Sequence, residues 1–286
     1  MKNKLSYLCG LLLAMLIINS CKKEEDGGSG TKAVFSYVAD GYKVNFTNFS
    51  TNATEYSWDF GDGSNQVSTK KSPQYIFKRK GDFLVSLTVK TGDEVSTFID
   101  TVSIIGPNIK MDGDFSDWEY VDYSYTNATG TGGNLLAVKT FASSTAINFY
   151  LEGTADMNME IMDLYLDADN NPATGFSTWQ YPLGSGAEFL FEGSLVGGWG
   201  DMYAHSGPPA GFTFAPVFTF AESLSYSPLK TVAGKKVIEF AIKRDKLGST
   251  KNFVNYSITE LTSGWAAVGS LPVSTTPSSK FGTIAL

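Results

Sequence analysis

The sequence predicts an all-β chain of two unequal sandwiches in tandem behind a short leader. Three observations carry this. Apolar residues alternate with period two in short runs, as at Tyr42, Val44 and Phe46 and at Phe83, Val85, Leu87 and Val89; that spacing places side chains on one face of a strand. Gly106-Pro107-Asn108 interrupts the runs, since a Gly-Pro pair breaks strand structure. Beyond it short apolar runs resume, again without helical periodicity. Of 286 residues, 42% are hydrophobic and 14% aromatic, ample for two packed cores.

The leader comes first. Lys2 and Lys4 precede an apolar stretch from Leu5 to Ile18, too short for a bilayer, which needs about 20 apolar residues. A basic start, a short apolar centre and small residues before a cut describe a secretory signal peptide over residues 1–20. Its end, Leu16-Ile17-Ile18-Asn19-Ser20-Cys21, resembles a bacterial lipobox, with Asn19 departing from the usual pattern. The resemblance implies cleavage before Cys21 and covalent lipid on its thiol and new amino group. Acyl burial contributes roughly 0.8 kcal/mol per methylene, so several chains anchor almost permanently. The alternative is an ordinary signal peptide that leaves Cys21 as a free thiol.

Lys22-Lys23-Glu24-Glu25-Asp26 resembles the surface-export signal of Bacteroidota lipoproteins, which implies an outer-membrane lipoprotein facing the extracellular side. Taken alone the same residues read as a solvated charged tether. Gly27-Gly28-Ser29-Gly30 completes a flexible spacer over residues 21–31; ten residues of such chain span roughly 17 Å.

Charge and composition exclude several classes. Losing Lys2 and Lys4 takes the net charge from −7 to −9, and an acidic chain is a poor nucleic-acid ligand because phosphate binding needs clustered Lys and Arg. With Cys9 leaving in the signal and Cys21 lipidated, no disulfide is available. His205 is the single histidine, which excludes multi-histidine metal centres.

Residues 32–105 carry three motifs in order: Trp58-Asp59-Phe60-Gly61-Asp62-Gly63, Pro73-Gln74-Tyr75-Ile76-Phe77, and the alternating strand that starts at Gly81. They resemble the PKD domain, an immunoglobulin-like sandwich that in its family acts as a spacer or interaction module. The physics of the first motif is structural: Trp58 and Phe60 fall on one side of a strand and fill the core, Gly61 and Gly63 permit positive φ, and Asp62 bonds its own turn. Asp100-Thr101-Val102 resembles the O-glycosylation sequon of Bacteroidota.

Residues 107–286 are expected to form a larger sandwich or jelly roll, with strands at Leu135–Phe141, Ala146–Glu152, Glu160–Leu166, Glu188–Glu192, Val217–Phe220, Val237–Ile242, Val254–Glu260 and Phe281–Leu286. Three segments, Ile109 to Trp118, Leu164 to Gly175 and Ile238 to Leu247, resemble family 9 carbohydrate-binding modules and related DOMON-like sandwiches, with Lys243 where that pattern has proline. Those folds include sugar binders, haem proteins and accessory domains, so the resemblance leaves function open. Trp118 reads as core.

Two constellations bear chemistry. Asp167, Asp169 and Asn171 alternate as hard oxygen ligands do around Ca2+. Thr178 occupies the twelfth position, where an EF-hand needs Glu; an Asx-rich turn without metal is the alternative. Trp179 and Tyr181 follow that loop, Trp199 and Tyr203 lie in a second Gly-flanked stretch, and Trp265 in a third. Sugars lay apolar C–H faces on such rings. Burying about 100 Å2 at roughly 25 cal/mol per Å2 contributes near 2.5 kcal/mol per ring, which for two rings predicts micromolar to millimolar affinity.

The preferred reading is a non-enzymatic cell-surface lipoprotein whose second sandwich binds polysaccharide or oligosaccharide for a partner transporter or glycoside hydrolase, the first serving as spacer. A structural or adhesion protein that binds protein is the alternative from another class. A glycan-processing enzyme lacks a recognisable catalytic motif, and a haem reading would use His205 and Met202, or another methionine, as axial ligands.

Overall fold

The computed structural model describes residues 30–286; Cys21, the signal segment and most of the tether fall outside the described residues. The chain is all-β, as expected, and its strands divide into two sandwiches.

The first contains β1 (Phe35–Asp40), β2 (Lys43–Asn48), β3 (Glu55–Asp59), β4 (Val67–Ser68), β5 (Gln74–Ile76), β6 (Gly81–Thr91) and β7 (Glu94–Ile104). A sheet ordered β1-β2-β5 packs on one ordered β4-β3-β6-β7. Trp58, Phe60, Phe83, Val85, Leu87 and Val89 fill the space between, and the Trp58 indole N–H donates to the Lys70 carbonyl at 2.9 Å. At Gly61, φ is +67° and a Cβ would sit 2.3 Å from the Leu84 carbonyl oxygen, so no other residue fits. Asp62 accepts from the Ser64 amide at 2.9 Å and the Tyr75 hydroxyl at 2.6 Å.

The second contains β8 (Tyr125–Thr126), β9 (Leu135–Ala142), β10 (Ala146–Gly153), β11 (Ile161–Asp167), β12 (Phe189–Ser194), β13 (Trp199–His205), β14 (Phe214–Thr219), β15 (Leu224–Tyr226), β16 (Lys230–Val232), β17 (Lys235–Lys243), β18 (Phe253–Leu261), β19 (Ala267–Leu271) and β20 (Gly282–Ala285). One sheet runs β15-β17-β10-β9-β8, with β16 beside β17; the other runs β14-β13-β12-β11-β18-β19, with β20 beside β18. Between them lies an apolar core that includes Leu164, Leu166, Phe191, Met202, Phe240 and Ile258.

β13 and β19 differ from expectation. Their glycines, at 197, 198, 200 and 264, suggested loops, yet Gly197-Gly198 makes only the hairpin turn and Trp199 begins a strand paired with Ser194. The strand expected at Val217–Phe220 is shifted, because Phe220–Ser223 turns into a short helix.

The opening segment and β17 meet in the interior. Buried Glu239 accepts from the Gly113 amide at 2.7 Å and the Trp118 indole at 2.9 Å, while Lys230 donates to the Gly113 carbonyl at 2.8 Å. Two motifs far apart in sequence are thus one hydrogen-bonded unit. The sandwiches touch at their joint: Tyr42 packs edge-on against Phe141 with ring centroids 6.3 Å apart, and Lys80 donates to the Ala142 carbonyl at 3.0 Å.

Candidate functional site

Alternation along the outer face of the larger sheet decides where its polar side chains go. On β11, Leu164 and Leu166 face the core, so Asp163 and Tyr165 face outward. Register then carries that position across the sheet. Thr259 of β18 stands opposite Asp163, and Ser270 of β19 opposite Thr259. On the other side Glu192 of β12 stands opposite Asp163, Asp201 of β13 opposite Glu192, and Thr219 of β14 opposite Asp201. Six polar residues therefore form one unbroken row across six strands, about 24 Å at the usual strand spacing.

The neighbouring row, Ser257, Tyr165, Leu190 and Tyr203, is capped by Phe176, Tyr181 and Phe281. This corrects one expectation. Tyr181 is only 1% exposed and its hydroxyl donates to the Pro272 carbonyl at 2.8 Å, so its ring is core and offers no stacking face. Tyr203 is half-buried against the same cluster.

Trp179 stands at one end of the row and Trp199 beside its fifth member, Asp201, near the other. Trp179 is 77% exposed and lines a groove of about 480 Å3 with Gln180, Gly133, Val268, Ser270 and Ser274. Ser270 is also the row's terminal member. Trp199, 51% exposed, precedes Asp201 by two positions and so shares its face. Gly197 leaves room for it, since a Cβ there would lie 2.9 Å from the indole nitrogen. Trp265, 55% exposed, occupies the β18–β19 turn with φ +64°, a left-handed conformation that bulky residues rarely adopt. Trp118 is buried, as expected.

The row is electrostatically strained at its centre. Burial, and then the charge of Glu192, push the Asp163 carboxyl up to about 7. Glu192 is also raised, chiefly by burial. Asp163 Oδ1, Thr259 Oγ1 and Ser257 Oγ are buried with no hydrogen-bond partner within the described protein.

The Asp-rich loop lies past the opposite end of β11. Asp167, Asp169 and Glu188 each present a carboxylate oxygen, all within 4.8 Å of one another. Glu188 Oε1 is buried without a partner, and an all-oxygen set of this kind suits Ca2+. Asn171 is bonded into the loop's own turn. Its Oδ1 accepts from the Ala173 amide at 3.2 Å and its amide donates to Asp167 Oδ1 at 3.2 Å, so it shapes the turn instead. Glu188, twenty residues downstream, is brought alongside by the Ala168 amide, which donates to its Oε2 at 2.8 Å.

His205 and Met202 cannot serve as one haem pair, by direction. Met202 enters the inner core; His205, three positions on, faces the opposite way against Phe176 and Phe214, with Nε2 bound to the Gly211 carbonyl at 2.8 Å. Two residues on opposite faces of one strand cannot ligate one iron.

Sequence reasoning passed over Asp163, Glu192, Asp201 and Thr259. The available signal was a carboxylate inside an apolar strand, Met162-Asp163-Leu164, which marks a position excluded from the core. Which strands would align those positions was not readable without the register.

Residues 32–105 match the family model of the PKD domain. The same part is similar to the PKD1 domain of the Vibrio cholerae metalloprotease PrtV, at 32% identity over 26% of this chain and 96% of that one, with a TM-score of 0.24. It is likewise similar to the PKD1 domain of Vibrio anguillarum Epp, at 31% identity over 27% and 96%, with a TM-score of 0.25. A family 9 carbohydrate-binding module from Caldicellulosiruptor kristjanssonii, in complex with cellotriose, matches 63% of this chain and 89% of its own at 12% identity, with a TM-score of 0.38. No curated protein matches the chain. With its motif residues packed as that family's pattern requires, the N-terminal sandwich of this chain belongs to the PKD-domain family.

Proposed function

We propose that the second sandwich binds a polysaccharide or oligosaccharide along the outer face of its larger sheet. The observation that carries this reading is the placing of Trp179 beside Ser270 and of Trp199 beside Asp201, both rings more than half exposed, toward opposite ends of one polar row. Flat apolar rings at the ends and hydroxyl-binding groups between them are what an extended sugar chain needs. The residues then divide the work. Trp179 and Trp199 stack sugar faces, Ser270, Thr259, Glu192 and Asp201 exchange hydrogen bonds with hydroxyls, and Trp265 extends the surface beside Ala267. The role is capture rather than catalysis, and the chain passes its ligand to a transporter or glycoside hydrolase.

The PKD domain serves as a spacer, and lipid on Cys21 holds the whole to the outer membrane, facing outward. Ca2+ held by Asp167, Asp169 and Glu188 would fix the loop that leads to Trp179; Asn171 would then support the turn without touching the ion.

Retention on insoluble polysaccharides, compared between wild type, Trp179→Ala and Trp199→Ala, tests the reading. Loss of retention in both variants supports it. No retention on any glycan, or unchanged retention in both variants, rejects it and favours a protein-binding role.

A further inference from the structure

Within the polar row three carboxylates stand side by side on neighbouring strands: Asp163, Glu192 and Asp201. Cross-strand partners have Cβ atoms about 4.5–5.5 Å apart, and like charges placed there repel. No cation on these strands offsets them; the relief the protein supplies is a hydrogen bond from the raised Asp163 carboxyl to Glu192. No Lys or Arg occurs on β11 to β14 or on β18 to β20. The ion pairs found among the described residues, Lys43–Asp40, Lys78–Asp122, Lys235–Glu152 and Lys246–Asp245, involve none of the three. The other titratable side chains on this face are Tyr165, Tyr181, Tyr203, His205 and, toward the loop end of β11, the carboxylates Asp167 and Glu188 with Asp169 beside them. His205 lies four positions beyond Asp201, about 13 Å along the strand, and its ring is bound to Gly211.

A second observation is independent of charge. Thr259 is 4% exposed, stands opposite Asp163, and its hydroxyl has no partner. Asp163 Oδ1 beside it is likewise unpaired. Native proteins pair nearly all such atoms, with protein, water or ligand. The row thus lacks two things together: positive charge and a partner for a buried hydroxyl, the Asp163 carboxyl itself being the donor to Glu192.

A primary ammonium provides three donors and a full charge on one atom. A guanidinium is a broad planar fork. A divalent ion would need carboxylates already converged, and the three-carboxylate cluster found among the described residues is the one at Asp167, Asp169 and Glu188. Trp199, two positions from Asp201, supplies a ring for the rest of the ligand.

We propose that Asp163, Glu192 and Asp201 bind the protonated amino group of an amino sugar whose ring rests on Trp199. This rests on the glycan-binding reading above and narrows it to glycans with a free primary amine. The ammonium donates to Asp163 and Glu192, Thr259 hydrogen-bonds an adjacent hydroxyl, and Asp201 holds the outer side. Because Asp163 is pushed up to about 7 by burial and by Glu192, ammonium binding at neutral pH displaces a proton to buffer.

Titration calorimetry with three oligomers of equal length, built from glucosamine, N-acetylglucosamine or glucose, tests this on the mature chain. The glucosamine oligomer is expected to bind about tenfold tighter than either neutral one, with proton release seen as a dependence of heat on buffer ionisation enthalpy. In Asp163→Asn, Glu192→Gln and Asp201→Asn, each checked for a native melting transition, that preference ratio falls to within about twofold. Asp93→Asn, an exposed acidic residue of the other sandwich, leaves the ratio unchanged. Neutral oligomers that bind as tightly as the amine overturn the amine site and leave glycan binding standing. Survival of the preference in the three row variants, or its equal loss in Asp93→Asn, overturns it as well. Failure of all three oligomers, joined to no retention on any polysaccharide, removes both proposals.

Discussion

The indole N–H of Trp118 donates to Glu239 Oε2 across 121 residues of sequence. Both groups are fully buried, and the second carboxylate oxygen is held by the Gly113 amide. Burial raises Glu239 above the ordinary carboxylate range against the opposing pull of these two donors. Replacing Trp118 by Phe keeps most of the packing and leaves one buried oxygen unpaired, which costs about 1–3 kcal/mol. Urea unfolding should show the loss in the second sandwich, with Lys230→Met, which frees the Gly113 carbonyl, losing less.

Asp163 makes stability fall with rising pH. Its carboxyl protonates near 7 in the folded chain but near 3.9 when unfolded. The contribution is therefore whole below pH 4 and disappears as pH climbs through 7. Asp163→Asn, which stays neutral, should match wild type near pH 4.5 and exceed it at pH 8 by up to about 4 kcal/mol without ligand. Urea midpoints at the two pH values decide it. A variant no more stable at pH 8 than at pH 4.5, relative to wild type, contradicts the assignment.

Two neighbouring aromatics should answer truncation in opposite ways. Tyr181→Ala removes a buried ring and a hydrogen bond to Pro272, for an expected loss of 3–5 kcal/mol. Trp179→Ala removes an exposed ring and should stay within about 0.5 kcal/mol of wild type. Thermal melting of both separates the packing role from the surface role before any ligand is added.

Ca2+, if held by Asp167, Asp169 and Glu188, raises the melting temperature and protects the loop over residues 167–188 from proteolysis, and a chelator reverses both. Glu188→Gln should weaken this response more than Asn171→Ala, because the Asn171 oxygen is already bonded to Ala173. The opposite order would return Asn171 to the ligand set.

Much of the architecture could be read from residue spacing. The Trp58 and Phe60 pair and the run from Phe83 to Val89 sit where period two places them, since each faces one core and one solvent side. The central strands of the second sandwich were equally plain, because Leu164, Leu166, Phe149 and Ile258 are apolar on a long buried surface. β13 and β19 were not, because glycine weakens the strand signal and their pairing partners are remote. Tyr181 was misplaced for a related reason: a residue two positions from an exposed tryptophan shares its loop but not its direction. Glu188 joined the carboxylate cluster through the β11–β12 register, which no local pattern encodes.

Gly106 has φ +87°, and a Cβ there would come within 2.5 Å of the Phe141 ring. The angle at which the two halves of the molecule meet thus depends on a missing methyl group. Any larger residue at position 106 acts as a wedge, prying the ring from its seat and turning the outer face of the larger sheet to a new heading without altering one atom of it.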